Sequence, residues 1–247
     1  MSSELSDAVF ARSFGAEAAR YAAARPSYPD AAIDYALAGN RGVVLDLGAG
    51  TGKLTARLTD RAGELIAVEP DEKMRAELAR TVPQARVLEG SAEQIPLADG
   101  SVDAILVGQA FHWFARPAAD QEMARVLRPG GVVGLLWNFP DRTVDWVIEL
   151  YRATRDQAAL RGEGPRDLEP ELFTPATHCW VGWQHELAGA AGLRELAHTW
   201  SWVITRSDAE KAAIDDRLRI LTTRHAELQG ELVRFPLRTK TVRQYRR

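Results

Sequence analysis

Cysteine is almost missing: Cys179 stands alone in 247 residues, so no internal disulfide staples the chain and no thiolate pair anchors a metal. A single cysteine of this kind reads as a small buried hydrophobe. Long apolar runs are missing too. No stretch approaches the roughly 18 apolar residues of a membrane span, and the segment from Met1 to Pro29 has no continuous apolar core of a secretion signal. The expectation is a cytoplasmic protein with no membrane partner. Neither sign of charge dominates, since 31 Lys and Arg face 34 Asp and Glu for a net charge of -3. That balance gives no global attraction to phosphate backbones, and no nucleic-acid partner is expected. His178, His185, His198 and His225 show no metal-ligand spacing with one another or with Cys179, so no metal is expected.

What is present is ordinary globular material, 46% hydrophobic and 26% charged, which argues against disorder and against a fibrous class. After an N-terminal helix from Ser13 to Ala24, ended by Arg25-Pro26-Ser27-Tyr28-Pro29, and a short helix at Ile33–Leu37, apolar runs alternate with amphipathic ones. Val43–Leu47, Leu65–Glu69, Arg86–Glu89, Val102–Val107 and Val132–Trp137 read as strands. Leu54–Arg61, Asp71–Thr81 and Pro117–Leu127 read as helices, with Asp71 an N-cap and Arg128-Pro129-Gly130-Gly131 a stop. Strands with little alternation are buried on both faces, and their alternation with helices means a parallel sheet with right-handed crossovers. Beyond Asp141 the pattern predicts helices at Val144–Leu160, Trp183–Ala191 and Ser207–Leu232, a loop at Gly162–Pro175, a β-favouring run at Thr199–Thr205 and a closing strand at Leu237–Tyr245.

The strongest local signal is Asp46-Leu47-Gly48-Ala49-Gly50-Thr51-Gly52, set between a buried strand and a helix. Gly48 and Gly50 let the backbone bend and approach a ligand, and Gly52 permits close packing behind the loop. A dinucleotide fingerprint needs its third glycine where this chain has Lys53, which counts against a nicotinamide cofactor. Strand two ends at Glu69, 19 residues after Gly50, where a carboxylate can accept hydrogen bonds from both hydroxyls of a ribose. Loop and carboxylate together point to an adenosine-containing ligand.

Four ordered motifs resemble class I S-adenosylmethionine-dependent methyltransferases, and specifically the type 11 small-molecule branch that includes trans-aconitate-type enzymes. They are Val44 to Gly52, Ala67-Val68-Glu69-Pro70, Gly90-Ser91-Ala92-Glu93-Gln94-Ile95-Pro96 and Arg125 to Gly131, within a resemblance running from Phe14 to Asn138. The resemblance implies a doubly wound, mostly parallel seven-stranded α/β sheet with an antiparallel last strand and a helical C-terminal insertion. It divides the chain into an arm (1–30), a cofactor-binding core (31–138) and acceptor-side helices with closing strands (139–247). By the same resemblance Asp46, Gly48, Ala49 and Gly50 lie under the methionine and ribose of S-adenosylmethionine. Glu69 holds the ribose hydroxyls, Pro70 and Met74 line the adenine, Ser91, Ala92 and Glu93 face its edge, and Gln109 joins the set. Tyr21 and Arg25 of the arm either reach the methionine carboxylate or serve as a packing tyrosine and a surface ion pair.

Gly108-Gln109-Ala110-Phe111-His112-Trp113-Phe114 follows the fourth strand, at the sheet edge where open α/β folds place their ligands. An Asn-Pro-Pro-Tyr tetrapeptide, which marks amino-methylating enzymes at this place, is absent. Two readings of His112 stand: the general base for a hydroxyl acceptor, or a packed histidine satisfied by backbone. All seven tryptophans follow it, at 113, 137, 146, 180, 183, 200 and 202, either core or the walls of a pocket for a planar acceptor. The expected enzyme methylates a small molecule, on oxygen by preference, and releases S-adenosylhomocysteine. The alternative is a non-catalytic S-adenosylmethionine-binding protein.

Overall fold

The computed structural model describes residues 24–154 and 167–247. Among them seven strands form one sheet: β1 (Val43–Leu47), β2 (Glu64–Glu69), β3 (Arg86–Glu89), β4 (Val102–Gly108), β5 (Leu127–Pro140), β6 (Thr177–Ala188) and β7 (Leu232–Tyr245), in the order β3-β2-β1-β4-β5-β7-β6. β1 to β5 pair in parallel, and β7 runs antiparallel to both β5 and β6, so the last strand alone opposes the rest. This is the doubly wound, mostly parallel sheet of the methyltransferase fold.

The apolar runs of the central strands explain their place. Leu45, Leu47, Ile105 and Leu135 pack on one face with Met123 of α4 (Ala118–Val126). Val44, Ala104, Leu106 and Leu136 face the other way, toward Ile33 and Ala36 of α1 (Asp30–Leu37) and Leu58 of α2 (Thr55–Leu58). Burial on both faces at roughly 25 cal/mol per Å² makes these strands the most costly part of the fold to disturb. α1 lies so close to β5 that a Cβ on Gly134 would meet that of Ala36 at 2.6 Å. On the same face as α1, α3 (Glu72–Thr81) packs Leu78 on Ala67 of β2 and starts at Asp71, whose side chain accepts from the Met74 N–H as the sequence predicts.

The C-terminal third forms its own apolar cluster. α5 (Asp145–Ala153), α6 (Gly189–His198), α7 (Ser201–Ile204) and α8 (Asp208–Arg224) bring Trp146, Leu196, Val203 and Leu218 together against Phe235 of β7. α6 to α8 form the helical insertion between β6 and β7. No helix among the described residues is long and apolar enough to cross a membrane.

Several sequence-based boundaries are corrected. Trp183–Ala191, expected as a helix, belongs mostly to β6, because pairing along the whole of β7 outweighs the helix preference of Gln184, Glu186 and Leu187. The strand-like run Thr199–Thr205 contains α7 instead, since a helical turn buries Trp200 and Val203 on one side, with Trp200 stacked on Tyr151 at 4.7 Å. The predicted Ser207–Leu232 helix stops at Arg224, and β7 begins at Leu232 rather than Leu237. The Ser207 cap is a full capping box with Glu210. The turn at Arg128–Gly131 is absorbed into the start of β5, where the register against β4 shifts between Val102 and Ala104. The helix expected at Leu54–Arg61 is regular only over Thr55–Leu58. Most of the Ser13–Ala24 helix and the end of Val144–Leu160 lie outside the described residues.

Candidate active site

The order β3-β2-β1-β4-β5 reverses between β1 and β4, and the carboxyl ends of those two strands open the crevice in which such sheets hold ligands. A cleft of about 270 Å³ lies there. Its floor is the glycine loop, with Gly48, Gly50 and Gly52 at φ +69°, +56° and +88°, conformations that glycine adopts without steric cost. Val68 of β2 accepts from the N–H groups of both Gly48 and Ala49, at 2.9 and 3.1 Å, so the loop is tied to the neighbouring strand. Gly52 sits against α3, where a Cβ would come within 2.4 Å of Leu78.

A Cβ on Gly48 would meet that of Ala110 at 2.7 Å and approach the Phe114 ring. Gly48→Ala therefore combines overlap with a strained φ, and is expected to cost about 1 to 3 kcal/mol of stability and to abolish ligand binding. At Gly50 the nearest atom would be Met74 Sδ at 3.9 Å, so Gly50→Ala carries the φ strain without the overlap. Thermal unfolding and calorimetric titration of both variants check this ranking.

Glu69 links the two sides of the crevice. Its Oε2 accepts the Gly50 N–H at 2.9 Å and its Oε1 the Asp71 N–H at 3.0 Å. Burial pushes its carboxyl above the ordinary value, and the two amide donors partly oppose that shift. Asp46 is more deeply placed, at 1% exposure. Thr55 donates its hydroxyl to Asp46 Oδ2 at 2.6 Å, while Oδ1 is buried with no hydrogen-bond partner among the described residues. Burial, with the charge of Glu69 adding to it, pushes the Asp46 pKa up to about 7.

Pro70, Met74, Ser91, Ala92, Glu93, Gln109 and Arg25 line the same cleft, together with Ala49. Glu93 is anchored there by accepting the Ala115 N–H at 2.7 Å. Gln109 holds φ +57°, a conformation that costs a non-glycine residue about 1 kcal/mol or more. Its N–H bonds to the Leu136 carbonyl, and its Nε2 donates to the Asn138 carbonyl at 3.2 Å. Tyr21 lies outside the described residues. His112 is not part of the lining: it is exposed, with its ring 4.5 Å from Trp113 and 5.9 Å from Trp137.

Trp113 is the member of the seven tryptophans that lines the cleft, and Phe114 and Lys53 line it without having been singled out from the sequence. The aromatics belong to the segment that drew attention for its histidine. Lys53 entered the reading only as the residue that breaks a dinucleotide spacing. It is half-buried, and burial lowers its pKa below the ordinary lysine value. The other tryptophans are elsewhere: Trp146 and Trp200 are core, and Trp180 is 48% exposed on β6.

The cleft thus offers a buried acceptor atom on Asp46 without a donor among the described residues, a carboxylate at the β2 end and a loop whose Gly48 and Gly52 have no room for a Cβ. A ligand carrying an ammonium group, a ribose and a flat base meets each of these requirements. Sheet, crevice and donor set define a class I methyltransferase. Residues 45–135 match the family model described as a methyltransferase domain. An uncharacterized methyltransferase of Mycobacterium tuberculosis (strain ATCC 25618 / H37Rv) is 44% identical over 217 residues, spanning 87% of this chain and 88% of that protein. An uncharacterized methyltransferase of Schizosaccharomyces pombe is 40% identical over 182 residues, spanning 67% of this chain and 72% of that protein. Among solved structures, a candidate type II methyltransferase from Anaeromyxobacter dehalogenans is 26% identical, with a TM-score of 0.55 over 90% of this chain and 96% of that one. The chain belongs to the methyltransferase family; it is an enzyme whose cofactor is S-adenosylmethionine.

Proposed function

We propose that the enzyme methylates an oxygen of a small organic molecule, a carboxylate or a hydroxyl. The observation that carries this reading is a half-buried lysine in the cleft wall, which the carboxylates of Asp46, Glu69 and Glu93 also line. Arg25 and Lys53 both line it, and Lys53 makes no ion pair among the described residues. In this reading Arg25, which also bonds to the Thr199 carbonyl, meets the carboxylate of the methionine tail, and Asp46 and Glu69 meet its ammonium and the ribose. Lys53 is the group that meets an anion on the acceptor, and a nearby cation favours an ionised oxygen over a protonated amine.

S-Adenosylmethionine, when bound, supplies an electrophilic methyl group on a sulfonium sulfur. In this reading Asp46 Oδ1 receives the ammonium of the methionine tail. Glu69 receives the ribose hydroxyls on the lone pairs left over from Gly50 and Asp71. Pro70, Met74 and the Ser91–Glu93 turn flank the adenine, and Tyr21 and Arg25 hold the methionine carboxylate. Ala110, Trp113 and Phe114 exclude water from the acceptor oxygen, which makes an anion more reactive. A carboxylate needs no base, so turnover on acids does not depend on His112.

The test is release of S-adenosylhomocysteine across a panel of carboxylic acids, phenols and primary amines, with wild type and Lys53→Met. Oxygen acceptors are expected to turn over, and Lys53→Met to raise their KM about tenfold, as for a lost charge-assisted hydrogen bond, with affinity for S-adenosylhomocysteine kept. Turnover confined to amines contradicts the proposal. So does a Lys53→Met variant whose main loss is in cofactor binding.

A further inference from the structure

Trp183 lies on the edge strand β6 and is not part of the cleft wall, yet an unbroken chain of hydrogen bonds joins it to that wall. Its indole N–H donates to Thr239 Oγ1 at 2.8 Å. The Thr239 hydroxyl donates to Asn138 Oδ1 at 2.6 Å, and Asn138 Nδ2 donates to the Ser27 carbonyl at 2.8 Å. Asn138 lines the cleft, and Ser27 sits between Pro26 and Tyr28, which line it too.

The direction of every bond in this chain is forced. An indole N–H can only donate, so Thr239 must accept from it and give its single proton onward. The atom of Asn138 that receives this proton has to be the amide oxygen, which leaves the amide nitrogen facing Ser27. Thr239 is fully buried, and in such surroundings aligned hydrogen bonds reinforce one another. Without the indole, the Thr239 hydroxyl is free to turn away from Asn138 Oδ1, and the bond to the Ser27 carbonyl is then left to hold the Asn138 amide without that support. A second contact from the same face of β6 reaches the same segment: His185 Nε2 lies 3.2 Å from the Ala24 carbonyl. Burial and the charge of Lys53 hold His185 below its ordinary pKa, so near neutrality it is uncharged and has one N–H to give that carbonyl.

We propose that Trp183 is a positioning residue for cofactor retention: through Thr239 it fixes the Asn138 amide and so keeps the 25–29 segment closed over the cleft. This rests on the assignment of that cleft to S-adenosylmethionine. The consequence is kinetic, because a looser segment lets the ligand escape before it alters the contacts made once bound.

The experiment is stopped-flow dissociation of S-adenosylhomocysteine from wild type, Trp183→Phe, Thr239→Val, Thr239→Ser and the Trp183→Phe/Thr239→Val double variant, with thermal unfolding of each unliganded protein. Trp183→Phe keeps an aromatic ring and removes the N–H; its dissociation rate is expected to rise roughly three- to tenfold, the effect of one neutral hydrogen bond. Thr239→Val should match it, Thr239→Ser should keep the wild-type rate, and the double variant should lose no more than Thr239→Val alone. Additive losses, equal loosening by Thr239→Ser and Thr239→Val, or a Trp183→Phe rate within twofold of wild type would each overturn the proposal. Failure of wild type to bind S-adenosylhomocysteine would instead remove the cofactor assignment on which it rests.

Discussion

Binding of S-adenosylhomocysteine weakens as the pH falls below 7, by about tenfold per unit, and Asp46→Asn abolishes that slope. The cause is the buried carboxyl of Asp46, whose pKa is pushed up to about 7 and whose Oδ1 has no partner among the described residues. In the proposed reading the ligand's ammonium pairs with the ionised form, so each unit below this pKa requires one deprotonation step worth about 1.4 kcal/mol. Asp46→Asn keeps the shape but loses the charge, and its affinity should be lower by about 1.5 to 3 kcal/mol at pH 8. Folding responds in the opposite sense. A folded-state pKa above the unfolded one gives stability that is complete below the ordinary value of 3.8 and is lost as the pH rises through about 7. Unliganded Asp46→Asn should therefore be more stable than wild type at pH 8 while binding ligand more weakly. Calorimetry and thermal unfolding at pH 6, 7 and 8 separate the two trends.

Glu69→Gln is expected to be almost as damaging as Glu69→Ala. Each carboxylate oxygen already accepts a backbone N–H, one from Gly50 and one from Asp71. An amide has a single oxygen, so its NH₂ must face one of those donors. Glu69→Ala removes both acceptors and Glu69→Gln sets its NH₂ against the Gly50 or the Asp71 N–H, and either variant removes an acceptor proposed for the ribose. The expected loss of affinity is about 1.5 to 3 kcal/mol. A Gln variant that binds like wild type would show that the carboxylate charge and its second oxygen are dispensable. The ribose assignment would fall with it.

The parts of the molecule legible in the sequence are those where local pattern and tertiary fate agree. Val43–Leu47 is apolar except at Asp46 because both faces of β1 are covered, and Gly48, Gly50 and Gly52 are glycines because their φ values or their neighbours disfavour anything larger. Asp71 was readable because a cap needs only its own first turn. The C-terminal third was not readable in the same way. β6 carries no strand signal strong enough to stand by itself and is specified by its partner β7, a pairing remote in sequence. Trp200 and Val203 are β-favouring residues whose burial requires a helix. In the site, Lys53 and Phe114 were invisible because their meaning comes from facing the cleft, not from belonging to a motif. His112, chosen for its chemistry, stands outside that lining for the complementary reason: the short helical turn at Phe111–Trp113 directs Trp113, and not His112, to the wall.

The central claim is that this crevice holds an adenosyl ligand through Glu69 and not a dinucleotide. Calorimetric titration of the purified protein with S-adenosylmethionine, S-adenosylhomocysteine and NAD, repeated on Glu69→Ala, tests it most directly. The account predicts saturable binding of both adenosyl ligands, none of NAD, and a loss of about 1.5 to 3 kcal/mol in the variant. Binding of NAD with no response to either adenosyl ligand, or adenosyl binding untouched by Glu69→Ala, would contradict it.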